Sequence, residues 1–368
     1  MTILTKTRRG ITRIEVVILV VIAVGLLVLA AVFVPQTVEK DRAMRCKANL
    51  AEIGEAIILY DEQNMALPQS NMLNATGTGK VEGEGWSWAY EVTPFMGRAD
   101  LHPAIDLADD EPRDAQENVE VIAAADAEVF RCPSFVGSHW VKKADATPWR
   151  SGDRNTPRSM ISHYKALAAT TDESLQAAYA TDSTVGYNEE THPDGAINPE
   201  TSYAIDSLTD GATSTILLGE TIEPFQSRWL YGDEMEMVAM DQAKVNISDD
   251  TTGDFVFAYP AGFNPRTPRY GTKSEIPTNP ADGTGQPLMA YNYSGTTEAP
   301  TYHGVQTNNA DAIYGPSSSH PEVVHHVLAD NSIRALSKKI DAAAYMFYVT
   351  RASGDPSECQ SPGLIEEE

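Results

Sequence analysis

Histidine, cysteine and carboxylate are the residue types here that offer chemistry, and their spacing limits what that chemistry is. The chain has eight histidines. The closest group is His320, His325 and His326, at the start of a stretch of alternating polarity. Neighbours on a strand point to opposite faces, so His325 and His326 do not ligate one metal ion together. His320 and Asp330 fall at the base of the same hairpin, where a structural hydrogen bond is the expected use of the pair. The three cysteines, Cys46, Cys132 and Cys359, show neither CxxC nor Cys/His zinc spacing. Cys46 and Cys132 are the pair expected to bridge in an oxidising compartment, the alternative being two buried free thiols; Cys359 sits in a polar tail. Asp249 to Asp254 has the composition of a calcium loop but lacks its spacing and terminal bidentate Glu. No nucleophile elbow, HExxH, phosphate loop or dinucleotide fingerprint is present. The expectation is therefore no catalytic residue, no metal site and no cofactor, with calcium at Asp249–Asp254 the one alternative.

One more carboxylate stands out, Glu15. A basic leader containing Lys6, Arg8 and Arg9 ends at Gly10, followed by Ile11-Thr12-Arg13-Ile14-Glu15. From Val16 to Val34 no side chain is polar. At about 1.5 Å per residue the run is a helix of roughly 28 Å, close to the hydrocarbon thickness of a bilayer. A carboxylate at the head of such a helix costs a few kcal/mol and requires a reason. An ordinary signal anchor does not supply one. A cleaved secretory signal has a shorter apolar region and a small-residue cleavage site after it. Beyond Pro35 the helical pattern continues over 36–66 and becomes amphipathic, with Leu50, Ile53, Ile57 and Tyr60 on one face. Ala66-Leu67-Pro68 ends it.

The segment from Arg9 to Val34 resembles the class III signal of type IV pilins and type II secretion pseudopilins. The resemblance implies that a prepilin peptidase cuts after Gly10 and methylates the new amine of Ile11. It also implies that Glu15 neutralises the amine of a neighbouring subunit during assembly. Ile11 stands where Phe is usual, and Arg13 where an apolar residue is usual; an Arg there snorkels to the headgroups. By the same resemblance the N-terminus is cytoplasmic and the chain is a single-pass inner-membrane protein, its bulk periplasmic or in an extracellular filament. The flanking charges alone decide this weakly, because Lys40, Arg42, Arg45 and Lys47 follow the helix.

A second resemblance spans nearly the whole chain, to the pilin-like family of domain of unknown function 1559. It rests on Cys46-Lys47-Ala48-Asn49-Leu50, on Trp86 to Phe95, and on Cys132-Pro133-Ser134. It continues through Thr209-Asp210-Gly211 to Gly219-Glu220, His320 with Ala329-Asp330-Asn331-Ser332, and Thr350-Arg351-Ala352-Ser353-Gly354-Asp355. The family's Gly pair after His-Pro is here Glu322-Val323, and its turn Gly is Asn331, a residue that tolerates the left-handed conformation.

Composition agrees with a membrane-tethered, water-facing head. Apolar residues make up 42% of the chain, enough for a core. The formal net charge is −25, falling to −28 once the three leader cations are removed. Such a surface repels nucleic acid and anionic lipid.

The elements required are those of an α+β protein. A long N-terminal helix, transmembrane in its first half, packs on an antiparallel sheet in a pilin-like lollipop with large loop insertions. The expected organisation is leader 1–10, membrane helix 11–35, amphipathic continuation 36–66, head 67–352 and acidic tail 353–368. Trp86, Trp88 and Tyr90 read as a core lid. Residues 99–128 read as an acidic helical insertion, and 171–200 as loop with a short helix near Leu175. Strands are expected over Glu128–Ser134, His163–Ala168, Ile216–Leu218, Glu236–Met240 and Phe255–Tyr259. A hairpin follows around Asp330-Asn331-Ser332, and a closing helix runs from Ile340 to Thr350 with Ala344, Phe347 and Tyr348 inward. The long loop 262–315 is the surface expected to meet a neighbour. Function then reads as a prepilin-like subunit assembled with itself and other pseudopilins into a pseudopilus or pilus-like filament, or priming one. The alternative is an inner-membrane-anchored binding module, with the helix as anchor alone.

Overall fold

In a computed structural model, most of residues 13–72, 85–105, 121–139, 160–175, 193–222, 227–240 and 315–351 are described. Helix α1 runs unbroken over Arg13–Asn64, 52 residues, or about 78 Å at about 1.5 Å each. Pro35 lies inside it. Proline removes one backbone donor and crowds the preceding turn. Two residues on, the Thr37 hydroxyl donates to the carbonyls of Phe33 at 2.6 Å and Val34 at 3.2 Å. The helix ends where Met65 takes a left-handed φ of 56°.

The two halves of α1 live in different surroundings. Val16, Leu19, Leu26, Leu27 and Phe33 are all exposed, and this is the one helix among the described residues long and apolar enough to cross a membrane. In the second half Cys46, Leu50, Ile53, Ala56 and Ile57 are buried. Their helical spacing forms one stripe, and that stripe packs on the head.

The head is built on a mixed sheet. A short ladder joins β1 (Asn71–Met72) to β2 (Trp86–Ser87), and β2 leads directly into α2 (Trp88–Val92). The main sheet holds β3 (Tyr164–Thr171), β4 (Ile216–Glu220), β5 (Glu236–Met240), β6 (Val323–Leu328) and β7 (Ile333–Ser337). Its order is β5-β3-β4-β6-β7. The expectation of a purely antiparallel sheet is corrected: β5 pairs with β3 in parallel. The segment 221–235 is long enough to act as a crossover, so the chain leaves β4 and returns on the far side of β3. The three other pairings are antiparallel.

Trp88, Phe130 and Trp229 form the centre of the core, with ring centroids 5.8 Å and 5.3 Å apart along the series. The Trp88 indole N–H donates to the Met235 carbonyl at 2.9 Å, so this buried ring is polar-satisfied. Trp86 and Tyr90 are buried with it. The strand expected over Glu128–Ser134 is also corrected. Glu128–Phe130 is a 3-10 turn. Two of its backbone bonds close locally, from Arg131 N to Glu128 O and Phe135 N to Cys132 O, and its one backbone bond toward β3 runs from His163 N to Phe130 O at 2.8 Å. Of the closing segment, Tyr345, Tyr348 and Val349 are helical and buried. Arg351 fixes the chain after it. Its guanidinium donates to Pro193 O at 2.7 Å and the Tyr203 hydroxyl at 2.9 Å. Phe255–Tyr259, Ala344 and Phe347 lie outside the described residues, as does nearly all of 262–315.

Candidate functional site

The head's principal polar cluster sits where α1 meets the sheet, and four separate stretches of chain supply it. Glu39 and Cys46 come from α1, one on each side of two helical turns. Cys132 and Ser134 follow the 3-10 turn. Glu220 ends β4, and His320 and His325 come from the approach to β6 and from β6 itself. Glu220 closes an apolar strand whose five residues are all buried, so its carboxylate has nowhere to go but inward.

The structure joins Cys46 to Cys132 by a disulfide, with Cα atoms 5.0 Å apart. Around it the carboxylates and imidazoles interlock. His320 Nδ1 is 2.8 Å from Glu39 Oε1. The same Glu39 oxygen accepts from the Ser134 hydroxyl at 2.8 Å. His320 Nε2 is 3.2 Å from Glu220 Oε1 and 3.5 Å from Cys132 Sγ. The other Glu220 oxygen accepts the His325 backbone N–H at 2.9 Å and lies 3.1 Å from His325 Nδ1. Lys338 Nζ donates to the carbonyls of Ser318 at 3.0 Å and His320 at 2.8 Å, which pins the His320 loop from behind.

Electrostatics follow from this geometry. Burial pushes the Glu220 carboxyl up, but hydrogen bonds from His320 and His325, and their charge, outweigh it and lower it to about 2. Burial pushes His320 down, yet its contacts to Glu220 and Glu39 raise it above the ordinary imidazole value. His320 thus stands between two carboxylates, both of which favour its charged form. His163 is of the opposite kind. Burial lowers it to about 3, and neutral Nδ1 accepts the Cys132 backbone N–H at 3.1 Å.

His325 and His326 do point to opposite faces of β6. His325 turns to Glu220, while His326 Nε2 is 2.9 Å from the Tyr345 hydroxyl. The expected His320–Asp330 approach does not occur. Asp330 instead accepts from Ser332 N at 2.9 Å and Ser332 Oγ at 2.6 Å, shaping its own turn, and His320 pairs with two glutamates from elsewhere in the chain. The sequence pattern does not single out Glu39, and Glu220 stands in it only as the end of a family motif, with no site role. The signal for Glu220 was present: a carboxylate following an unbroken apolar strand needs a buried partner. Nothing local marks Glu39, one of several acids on an exposed helix.

Glu15 lies in the exposed first turn of α1. Its side chain sits beside the helix N-terminus, where a carboxylate is favoured by the unsatisfied backbone N–H groups. Gly10, Ile11, Cys359 and Asp249–Asp254 lie outside the described residues.

A family model described as a protein of unknown function (DUF1559) matches residues 39–343. The match begins at Glu39 and so takes in the amphipathic half of α1 and the head. No curated protein matches the chain, and no solved structure does.

Proposed function

The chain belongs to the DUF1559 family, and from that premise we propose that it is a prepilin-like structural subunit, processed after Gly10 and assembled into, or priming, a pseudopilus or pilus-like filament. The observation that carries this reading is α1. One unbroken helix has an exposed apolar first half and a second half buried in the head and bonded to it through Cys46. A helix used only as a tether needs no rigid continuation into the fold. A helix that bundles with copies of itself does, because the position of each head is then set by the packing of the helices. Glu15, at the head of the apolar half, pairs in this reading with the methylated amine of Ile11 on the neighbouring subunit. The head is periplasmic before assembly, the partners are a prepilin peptidase and other pseudopilins, and the role is structural rather than catalytic.

Two measurements test it. Mass spectrometry of protein taken from membranes should find a chain beginning at Ile11; a native chain beginning at Met1, in cells that contain the peptidase, would sink the reading. Complementation with Glu15→Val should leave cleavage and insertion intact and abolish filaments or co-purified homo-oligomers. An amine reaching hydrocarbon without its partner costs several kcal/mol. Glu15→Asp should be nearly as defective, since a shorter arm must span the same gap. Normal oligomers from Glu15→Val would leave only the tether.

A further inference from the structure

The disulfide and the imidazole–carboxylate cluster share one small volume. Ligand-type atoms of Cys46, Cys132, Glu220 and His320, all buried, lie within 4.8 Å of one another. We propose that, once a dithiol or phosphine reductant has supplied the two electrons that open the disulfide to two thiols, these four side chains bind a single zinc ion. Disulfide and metal are then alternative staples between α1 and the head.

The spacing fits the metal. Zinc takes four ligands tetrahedrally at about 2.0–2.3 Å, which puts neighbouring ligand atoms roughly 3.3–3.8 Å apart. His320 Nε2 already stands 3.2 Å from Glu220 Oε1 and 3.5 Å from Cys132 Sγ. Breaking the S–S bond and parting the sulfurs by rotation about the two Cα–Cβ bonds supplies the Cys46–Cys132 edge, and the other three pairs already lie within 4.8 Å. Binding expels the two thiol protons, since zinc takes thiolate, and leaves His320 Nε2 without a proton, since the imidazole ligates through its lone pair.

The surroundings fit as well. A zinc-bound imidazole usually gives its other ring N–H to a carboxylate, which fixes the ring and its tautomer. Here His320 Nδ1 is 2.8 Å from Glu39 Oε1, itself held by Ser134. The Glu220 oxygen turned away from the cysteines is held by the backbone N–H of His325 at 2.9 Å. The Cys132 backbone N–H is fixed by His163 at 3.1 Å. Each first-rank ligand except Cys46 thus has an orienting hydrogen bond, and Cys46 is held by the helix. The site was invisible in the sequence because its ligands are far apart along the chain and form no local motif. It stands independently of the filament reading.

The test uses the full chain in detergent with Cys359→Ser, treated with a phosphine reductant and titrated with cobalt(II), then zinc(II). The reduced chain should take up one cobalt per chain, with thiolate charge-transfer bands and the intense visible bands of tetrahedral cobalt, and zinc should bleach both. The disulfide form should show neither. His320→Gln should weaken binding at least tenfold. Glu39→Gln, which touches no metal, should weaken it about 10–100-fold while the tetrahedral spectrum survives. An unmutated chain guards against misfolded variants: zinc should slow alkylation of Cys46 and Cys132 and leave Cys359 unchanged. Absence of stoichiometric uptake, a spectrum without thiolate bands, unchanged affinity in His320→Gln, or equal alkylation with and without zinc would each overturn the proposal.

Discussion

Glu220 shows how one buried charge organises its neighbours. It has been taken from water at high cost, and it is tolerated because two imidazoles and a backbone N–H surround it. Glu220→Gln keeps the shape and removes the charge. It leaves His320 with Glu39 as its remaining carboxylate and should cost about 3–5 kcal/mol, read as a lower denaturant midpoint. An unchanged midpoint would mean that His320 is neutral in the fold. His326 makes the opposite prediction. Burial holds it neutral, lowered to about 3, while the unfolded chain protonates it near 6.5. A depressed value means that its contribution is complete above about 6.5 and is lost as pH falls toward 3. His163 acts in the same window and direction. His320, raised, works against them: its contribution is complete below about 6.5 and fades as pH rises through its folded value. Between pH 6.5 and 4 the His320 contribution is already complete and constant, so the two depressed imidazoles set the slope and the chain should lose stability. His326→Gln keeps an acceptor for the Tyr345 hydroxyl and should show a smaller loss over that interval, measured by chemical unfolding at each pH.

At the scale of elements, α1 meets the β6–β7 hairpin at close range. Gly54 lies in the buried stripe, and a Cβ there would press on Val327 Cγ2 and the Asn331 side chain. Alanine in a helix interior normally gains about 1 kcal/mol over glycine. Gly54→Ala should instead cost about 1–3 kcal/mol through overpacking, seen as a lower melting temperature of the full chain. A gain would show that helix and hairpin separate more easily than they pack. The hairpin explains a departure noted in the sequence. Asn331 takes a φ of 64°, the left-handed turn for which the family uses Gly. Glu322, where the family also has Gly, keeps a φ of 62°, and its carbonyl accepts the Lys338 N–H at 2.8 Å.

For the whole molecule, the disulfide decides how α1 and the head behave as one body. It closes a separation of 86 residues between the helix and the turn after Phe130. Asn49 Nδ2 to Arg131 O at 2.7 Å and the Tyr164 hydroxyl to Cys46 O at 3.3 Å tie the same junction without covalent bonds. Replacing both cysteines by serine should therefore lower stability by about 2–4 kcal/mol without unfolding the head. Denaturant unfolding of the full chain measures it, and peptide mapping without reduction should recover the two cysteine peptides joined in the parent. Loss of all cooperative unfolding in the double variant would show that the packed stripe on α1 cannot hold the junction alone.

The sequence by itself determined whatever depends on local repetition. Apolar length gave the membrane-length helix, and helical spacing gave the buried stripe of Leu50, Ile53 and Ile57. Alternation around Asp330-Asn331-Ser332 gave the hairpin, and the ordered short motifs gave the family. Those signals are local because the forces behind them act between residues a few positions apart. Tertiary structure decided the rest. The parallel pairing of β5 with β3 depends on which side of the sheet a crossover lands, and no residue pattern in either strand encodes that choice. The segment around Cys132 is a turn in which the His163 ring and local carbonyls take up backbone N–H groups that a strand would have paired. The cluster of Glu39, Glu220, His320 and the disulfide arises only when helix and sheet close on one another. A buried charge finds its partner by position in space, and the sequence separations within that cluster run up to 281 residues.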